Sequence, residues 1–352
     1  MRLFSAFVFL CIIVSSKALS SATTSRASFV TGANGYLGRE IVHELLKSNT
    51  TQHVVCLVRH GRVEEEITYW HDQSDYVSVH AYDMMDGARS LEDALTAVSA
   101  EERVVYHVAS VFGPTEDHKQ TALDNVKGTV DVVKCLANFP NSKLVLTSSM
   151  AAVRCTGQEP KNKVCYTHLD WNTNSVLGTN WGSSYQWSKA ESERRAWELA
   201  SEHNIPMVSL CPSFIFGPSH DGPSRSKSFS LQLVRQWIRG ESDVQSRLCV
   251  DVRDVAKAHV AAGIANAAVG KRYIVSAERR LPSSVLADVL KENAASPDSI
   301  SFDAVFDGGA IKIGDREVMA IDRLAEELGI ELTPNEITFR DMARNFLAMN
   351  DC

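Results

Sequence analysis

Tyr185-Gln186-Trp187-Ser188-Lys189 sets a phenol and an amine four residues apart, the spacing that brings two side chains onto one face of a helix. A neighbouring ammonium favours the phenolate and makes the phenol a better proton donor to a carbonyl oxygen. Upstream, Leu144-Val145-Leu146-Thr147-Ser148-Ser149 reads as a buried strand ending in hydroxyls, and ligands sit at the carboxyl ends of strands in open parallel sheets. A Ser149 hydroxyl placed there can bond a substrate carbonyl and orient it. Ser149, Tyr185 and Lys189 are therefore the candidate catalytic residues, with Tyr185 as proton donor. A Tyr and a Lys at this spacing are common by chance; their order behind a strand-end serine and a glycine turn is not.

That turn is Gly32-Ala33-Asn34-Gly35-Tyr36-Leu37-Gly38, between an apolar run and an amphipathic stretch. Glycines here allow a tight turn and close backbone approach to a pyrophosphate seated on a helix N-terminus. Gly32, Gly35, Tyr36, Leu37 and Gly38 are expected to bind a dinucleotide. At the end of the second strand, Leu57-Val58-Arg59-His60 carries a guanidinium where folds specific for NAD place an acid for the ribose hydroxyl. Arg59, with Arg62 close by, can pair with a 2′-phosphate, which favours NADP (NADPH).

The positioning elements follow from periodicity. Ser28–Thr31, His53–Val58, Val77–Tyr82, Val104–Val108, Leu144–Thr147 and Met207–Leu210 read as strands, and Arg39–Lys47, Thr121–Ala137 and Tyr185–Glu202 as helices between them. The alternation predicts an α/β fold, a Rossmann-type doubly wound parallel sheet, with a smaller C-terminal substrate lobe. The expected divisions are a signal peptide over 1–22, an NADP-binding domain over 27–217, and a lobe over 218–352 from which segments return to the sheet.

With these motifs the chain resembles the extended short-chain dehydrogenase/reductases, in the group of dihydroflavonol reductases, cinnamoyl-CoA reductases and yeast-type methylglyoxal reductases. Val105-Tyr106-His107-Val108-Ala109-Ser110 resembles the group's fourth strand, which implies cofactor contacts at Val108, Ala109 and Ser110. Cys211-Pro212-Ser213 resembles the strand beside the nicotinamide, implying contacts at Pro212 and Ser213, and Asp83 and Met84 fall where the group meets adenine. Asn125-Val126-Lys127-Gly128-Thr129 and Asp251-Val252-Arg253-Asp254-Val255 match further family segments. The resemblance implies NADPH-dependent reduction of an aldehyde or ketone to an alcohol, by a monomer or homodimer, with Lys189 also touching the nicotinamide ribose. Rival readings on the same fold are a steroid dehydrogenase/isomerase, a nucleotide-sugar epimerase or dehydratase, and a non-catalytic NADP sensor. Dehydratases need an acid/base pair beside the catalytic hydroxyl, where Met150-Ala151 stands; sensors commonly lose the Tyr or Lys, and both are present.

The 352 residues are 44% hydrophobic and carry a net charge of −7, without the basic surplus of a nucleic-acid binder. Met1-Arg2, the apolar run Leu3–Val14 and small residues near Ser20 and Ala22 make a signal-peptide pattern. Its removal at Ser20 takes Arg2 and Lys17 with it and leaves the charge at −9. That address leads to the endoplasmic reticulum, secretion or, as a bipartite signal, a plastid; the alternative is cytoplasmic. Asn49-Thr50-Thr51 is a glycosylation sequon for a secreted chain. The apolar run is too short for a stable membrane span, and no metal-ligand spacing appears. Scattered cysteines do not make a disulfide framework, and only Cys155 and Cys165 are a candidate pair. Glu64-Glu65-Glu66 reads as a solvated loop or helix start.

Overall fold

The computed structural model describes residues 25–221, 228–302 and 315–349. The expected signal peptide, Cys11 and Cys352 lie outside them. Seven parallel strands form the central sheet in the order β3-β2-β1-β4-β5-β6-β9, built from β1 (Arg26–Thr31), β2 (His53–Val58), β3 (Val77–Ala81), β4 (Glu102–His107), β5 (Ser142–Thr147), β6 (Met207–Pro212) and β9 (Arg272–Val275). Successive side chains point to opposite faces, and both faces are covered, so the inner strands are largely apolar. Val30, Val54 and Cys56 pack beneath α1 (Tyr36–Ser48), α2 (Val63–His71) and α8 (Val252–Ile264). Phe29, Val55 and Leu57 pack on the other face against α3 (Arg89–Ala97), α4 (His118–Leu136) and α6 (Trp181–Glu202).

A third core, around Phe216, Trp237, Leu290 and Phe346, belongs to the smaller lobe. It joins a two-stranded sheet of β7 (Phe214–Phe216) and β8 (Cys249–Asp251) to α7 (Phe229–Ile238), α9 (Ser283–Lys291) and α11 (Asn335–Ala348). Between these, α8, β9 and α10 (Ile321–Leu328) return to the central sheet. No helix among the described residues is long and apolar enough to cross a membrane.

Helix starts fall earlier than apolar periodicity alone indicates, because polar caps set them. Asn180 Oδ1 accepts from the Ser183 amide at 2.8 Å, so α6 begins at Trp181 and Tyr185 lies inside it. Asp117 likewise caps α4 through the Gln120 amide at 2.8 Å. One charged triplet also departs from expectation. Glu64 and Glu65 are exposed on the first turn of α2, but Glu66 is buried and takes Arg39 at 2.7 Å, because the Arg39 guanidinium lies beneath that helix over the Tyr69 ring. Cys155 and Cys165 are both buried free thiols, with Cys155 Sγ turned to Gln158 Oε1.

One fully buried charge joins four elements. Glu193 on α6 is fully buried, and Arg272 on β9 reaches its two oxygens through Nε at 2.7 Å and Nη2 at 2.9 Å. The Ser148 and Ser209 hydroxyls donate to the same carboxylate at 2.7 Å each. These partners, Arg272 foremost, outweigh burial and hold the Glu193 pKa below its ordinary value. Its stabilisation is thus complete above the usual carboxylate range and is lost as pH falls through the lowered folded-state value. Arg272→Met leaves a buried carboxylate without its cation and is expected to cost about 3–5 kcal/mol of unfolding free energy. Adding Glu193→Gln should recover more than half. Urea titrations of both variants check this; a loss no larger than that of Arg195→Met at an exposed site would refute it.

Candidate active site

The glycine turn is shaped by what a side chain would strike. A Cβ on Gly38 would lie 2.1 Å from the Gly32 carbonyl oxygen, and one on Gly35 3.1 Å from the same atom. Gly32 has φ of +66° and packs against Ala109, a conformation that glycine adopts without cost. Its amide donates to the Leu57 carbonyl at 2.8 Å, docking the turn on β2. At the N-terminus of α1, Gly35 offers no side-chain cap, so the first helical amides remain for an anion. Leu37 turns its side chain into the core, leaving its backbone for a ligand, and the Tyr36 hydroxyl donates to the Gly217 carbonyl at 2.7 Å, tying the turn to the lobe.

Beneath the turn lies a polar chain that sequence reasoning did not single out. Thr31 Oγ1 accepts from the Val108 and Ala109 amides at 3.0 Å each and sits 3.0 Å from His107 Nδ1. With both acceptor sites used, its one proton goes to Nδ1, which leaves the ring proton on Nε2. That atom faces Thr129 Oγ1 at 3.4 Å, and Thr129 donates onward to the Asn125 carbonyl at 3.0 Å. The scheme needs a neutral imidazole. Burial, with Lys189 second, presses the His107 pKa down to about 3. Asn125 in turn clasps the Val111 amide and carbonyl at 2.9 and 3.0 Å, fixing the backbone just past Ser110.

The other expected cofactor residues line the same edge. Arg59 is exposed at the end of β2 and makes no ion pair among the described residues, whereas Arg62 pairs with Glu65 at 3.0 Å. Asp83 is exposed and accepts from the Met85 amide at 2.8 Å. Met84 lies against Gly128, where a Cβ would come within 2.2 Å of its Cγ. Pro212 closes β6, and the Ser213 amide donates to Val275 at 3.2 Å. Among the described residues Ser110 and Ser213 both hold buried hydroxyl oxygens without a hydrogen-bond partner, a state that costs free energy until a partner arrives. The glycine cradle and these two orphaned hydroxyls fit a dinucleotide.

Ser149 caps α5 (Met150–Val153), its Oγ accepting from the Ala151 amide at 3.1 Å. The Ser149 side chain stands close enough to the Tyr185 phenol to pull its pKa down, so phenol and serine face each other at the end of β5. Lys189 stands one turn on, with Nζ 3.2 Å from the Thr147 carbonyl and 5.9 Å from the Tyr185 ring centre. One expectation is corrected here. The net direction is set by burial rather than by Lys189: it pushes Tyr185 up to about 12, with Ser149 pulling the other way. The ammonium is itself desolvated, pressed down to about 8 although Cys211 and Glu193 raise it, and it points at a backbone carbonyl rather than at the phenol.

Residues 30–250 match a family model described as male sterility protein, an NAD-binding domain. The chain is 28% identical over 282 residues to an NADPH-dependent methylglyoxal reductase of Saccharomyces cerevisiae, covering 75% of this chain and 82% of that one. It is 28% identical over 341 residues to a cinnamoyl-CoA reductase of Medicago truncatula, covering 92% and 96%. A crystal structure of the yeast methylglyoxal/isovaleraldehyde reductase complexed with NADPH superposes with a TM-score of 0.80 at 23% identity, covering 93% of this chain and all of that one. At that identity the superposition speaks to fold.

The cradle makes a graded prediction. Gly38→Ala, whose Cβ meets a backbone oxygen, should lose about 1–3 kcal/mol of stability and most nucleotide affinity. Gly35→Ala, with a looser contact, should lose less of both. Thermal melts with and without nucleotide measure the order; equal tolerance at the two positions would contradict it.

Proposed function

The chain belongs to the male sterility protein family, within the extended short-chain dehydrogenase/reductases, and on that premise we propose that it reduces an aldehyde or ketone to an alcohol with NADPH, Tyr185 delivering the proton. The observation that carries this reading is that Ser149, just past the carboxyl end of β5, faces Tyr185 on α6, with Lys189 one helical turn away. The relatives support an NADP-dependent oxidoreductase acting on carbonyl groups.

The glycine turn and the α1 amides hold the pyrophosphate, Arg59 the 2′-phosphate, and Ser110 and Ser213 supply the hydroxyls that a nucleotide would satisfy. Bound NADPH supplies a hydride to the carbonyl carbon. Ser149 Oγ orients the carbonyl oxygen, and Tyr185, protonated throughout the neutral range at a pKa of about 12, passes its proton to that oxygen. The phenolate left behind lies on the face of α6 that carries the Lys189 ammonium, which stabilises it until solvent returns a proton.

Tyr185→Phe removes only the donor. Its turnover is expected to fall about 10²–10⁴-fold, the usual contribution of general acid catalysis, with NADPH affinity retained. Wild-type turnover should also decline as pH rises through about 8, where Lys189 loses its charge. Single-turnover NADPH oxidation beside a cofactor titration makes the measurement. A Tyr185→Phe protein that reduces its best carbonyl substrate at the wild-type rate would overturn the mechanism.

Arg59→Ala separates the cofactors. Loss of one charge-assisted contact, worth about 1.5–3 kcal/mol, should weaken NADPH roughly ten- to a hundredfold and leave NADH binding little changed. Equal losses for both would show that Arg59 does not read the phosphate.

A further inference from the structure

His259 is a buried titratable group that the reaction as described does not use. It lies two turns into α8, fully enclosed, and faces the end of β5. Its Nδ1 is 2.7 Å from the Val255 carbonyl oxygen and its Nε2 2.8 Å from Thr147 Oγ1. A carbonyl oxygen can only accept, so Nδ1 carries the ring proton. Burial presses the His259 pKa down to about 4, against the pull of the Val255 bond. The ring is therefore uncharged at neutral pH, its Nε2 is bare, and the Thr147 hydroxyl donates to it. Geometry fixes one tautomer and one hydroxyl direction together.

That hydroxyl belongs to the residue at which the sheet releases β5. Pairing with β4 stops at Leu146, opposite His107, and Thr147 is paired with Leu210 of β6 alone. Its carbonyl nevertheless has a task, because Lys189 Nζ donates to it from α6 at 3.2 Å. The next residue turns the other way, as successive strand residues do, and Ser148 donates to Glu193 at 2.7 Å. The end of β5 is thus held from both faces, by Glu193 on α6 and by His259 on α8. Helix α8 comes close to the sheet at Gly263, one turn beyond His259, where a Cβ would collide with the Tyr106 hydroxyl of β4. A lysine carries its ammonium on a flexible four-carbon stem, so the charge is placed only as firmly as the oxygen that receives it.

We propose that His259 is a positioning residue: by holding the Thr147 hydroxyl it fixes the last peptide of β5, and through that carbonyl the Lys189 ammonium. This rests on the reductase reading above. The enclosed ring acts through Thr147 and not on the substrate. Its loss should leave substrate binding in place and slow the step in which charge develops on the Tyr185 phenol.

The test is NADPH oxidation by the purified protein on hexanal, benzaldehyde and diacetyl, followed on whichever is reduced fastest. Thr147→Val keeps the shape of the side chain and removes the hydroxyl. Its single-turnover rate should fall about ten- to a hundredfold, up to the cost of displacing a catalytic group by about 1 Å. KM for the carbonyl compound should change little, so that kcat and kcat/KM fall together. Thr147→Ser brings back the hydroxyl without the methyl group and should recover most of the loss, which a role in packing alone would not allow. His259→Phe, a ring without an acceptor, should match Thr147→Val, and the double variant should be no slower than either single one. Thermal melts show which variants are folded; where His259→Phe is not, the two Thr147 variants decide. Nitrogen NMR of the histidine rings adds a reading without turnover. One ring should carry its proton on Nδ1 with Nε2 bare, and its Nε2 signal should move in Thr147→Val. The opposite tautomer, a Thr147→Val rate equal to wild type, or no recovery in Thr147→Ser would each overturn the proposal while the reductase stands. Folded protein that binds NADPH and reduces none of these compounds would sink the reductase reading and this role with it.

Discussion

The buried Glu193 carboxylate constrains everything at the reacting edge. A fully enclosed carboxylate costs several kcal/mol unless it is paired and hydrogen-bonded, and here the pairing is distributed over separate pieces of chain: Ser148 at the end of β5, Ser209 in β6 and Arg272 in β9. Arg272 extends the network through Nη1 to the backbone carbonyls of His168 and Asp170. Glu193 sits one turn beyond Lys189 and two beyond Tyr185 on α6. A slip of that helix by one residue would strand the carboxylate and misplace both reacting groups together. The ion pair thus acts as a register lock: its contribution is less a gain in stability than a penalty on every alternative arrangement. Through Ser148 it also fixes the residue before Ser149, so Ser149 and Tyr185 are referred to one anchor.

The dinucleotide edge is organised by the opposite choice. Under the glycine turn the chain from Thr31 through His107 to Thr129 and Asn125 is neutral at every atom. A carboxylate beneath a pyrophosphate would repel it across a low-dielectric layer, and an imidazolium would break the donor order that holds the Val108 and Ala109 amides. Lys189 adds to the pressure that keeps His107 uncharged. Directly under the glycine turn the buried polar groups are thus neutral, whereas the Glu193 carboxylate lies under the Ser149–Tyr185 end of the sheet.

Much of this was legible in the sequence, for physical reasons. Strands buried on both faces are continuous apolar runs, so β1, β2 and β5 announce themselves, and the motif glycines do so because their Cβ positions are filled. That Tyr185, Lys189 and Ser149 come together was legible from spacing and order. Helix starts were less so: Asn180 and Asp117 are ordinary cap residues, but apolar periodicity begins a turn later than the cap. The charged anchors were hidden. Glu193, Arg272, Arg39 and Glu66 look like solvated residues along the chain, and their partners lie 79 and 27 positions apart. The direction of the Tyr185 shift was hidden for the same reason. Spacing reveals a nearby lysine, whereas burial, which decides the sign, is a property of the fold.

That sign suits the proposed reaction, in which Tyr185 gives a proton to a carbonyl oxygen. A phenol ionised in advance by its lysine would have no proton to give; one at about 12 keeps it until a carbonyl oxygen begins to gain charge. The attraction between Lys189 and Tyr185 is weak while the phenol is neutral and grows only as the phenolate develops. Interactions that strengthen in the transition state lower the barrier, whereas those already present in the ground state do not. Lys189 is kept from pairing early by its bond to the Thr147 carbonyl and by burial that brings it down to about 8, while Glu193 one turn away supports its charge. The lysine is thus a poor partner for the resting phenol and a good one for the phenolate, and the difference between those two states is the part that contributes to rate.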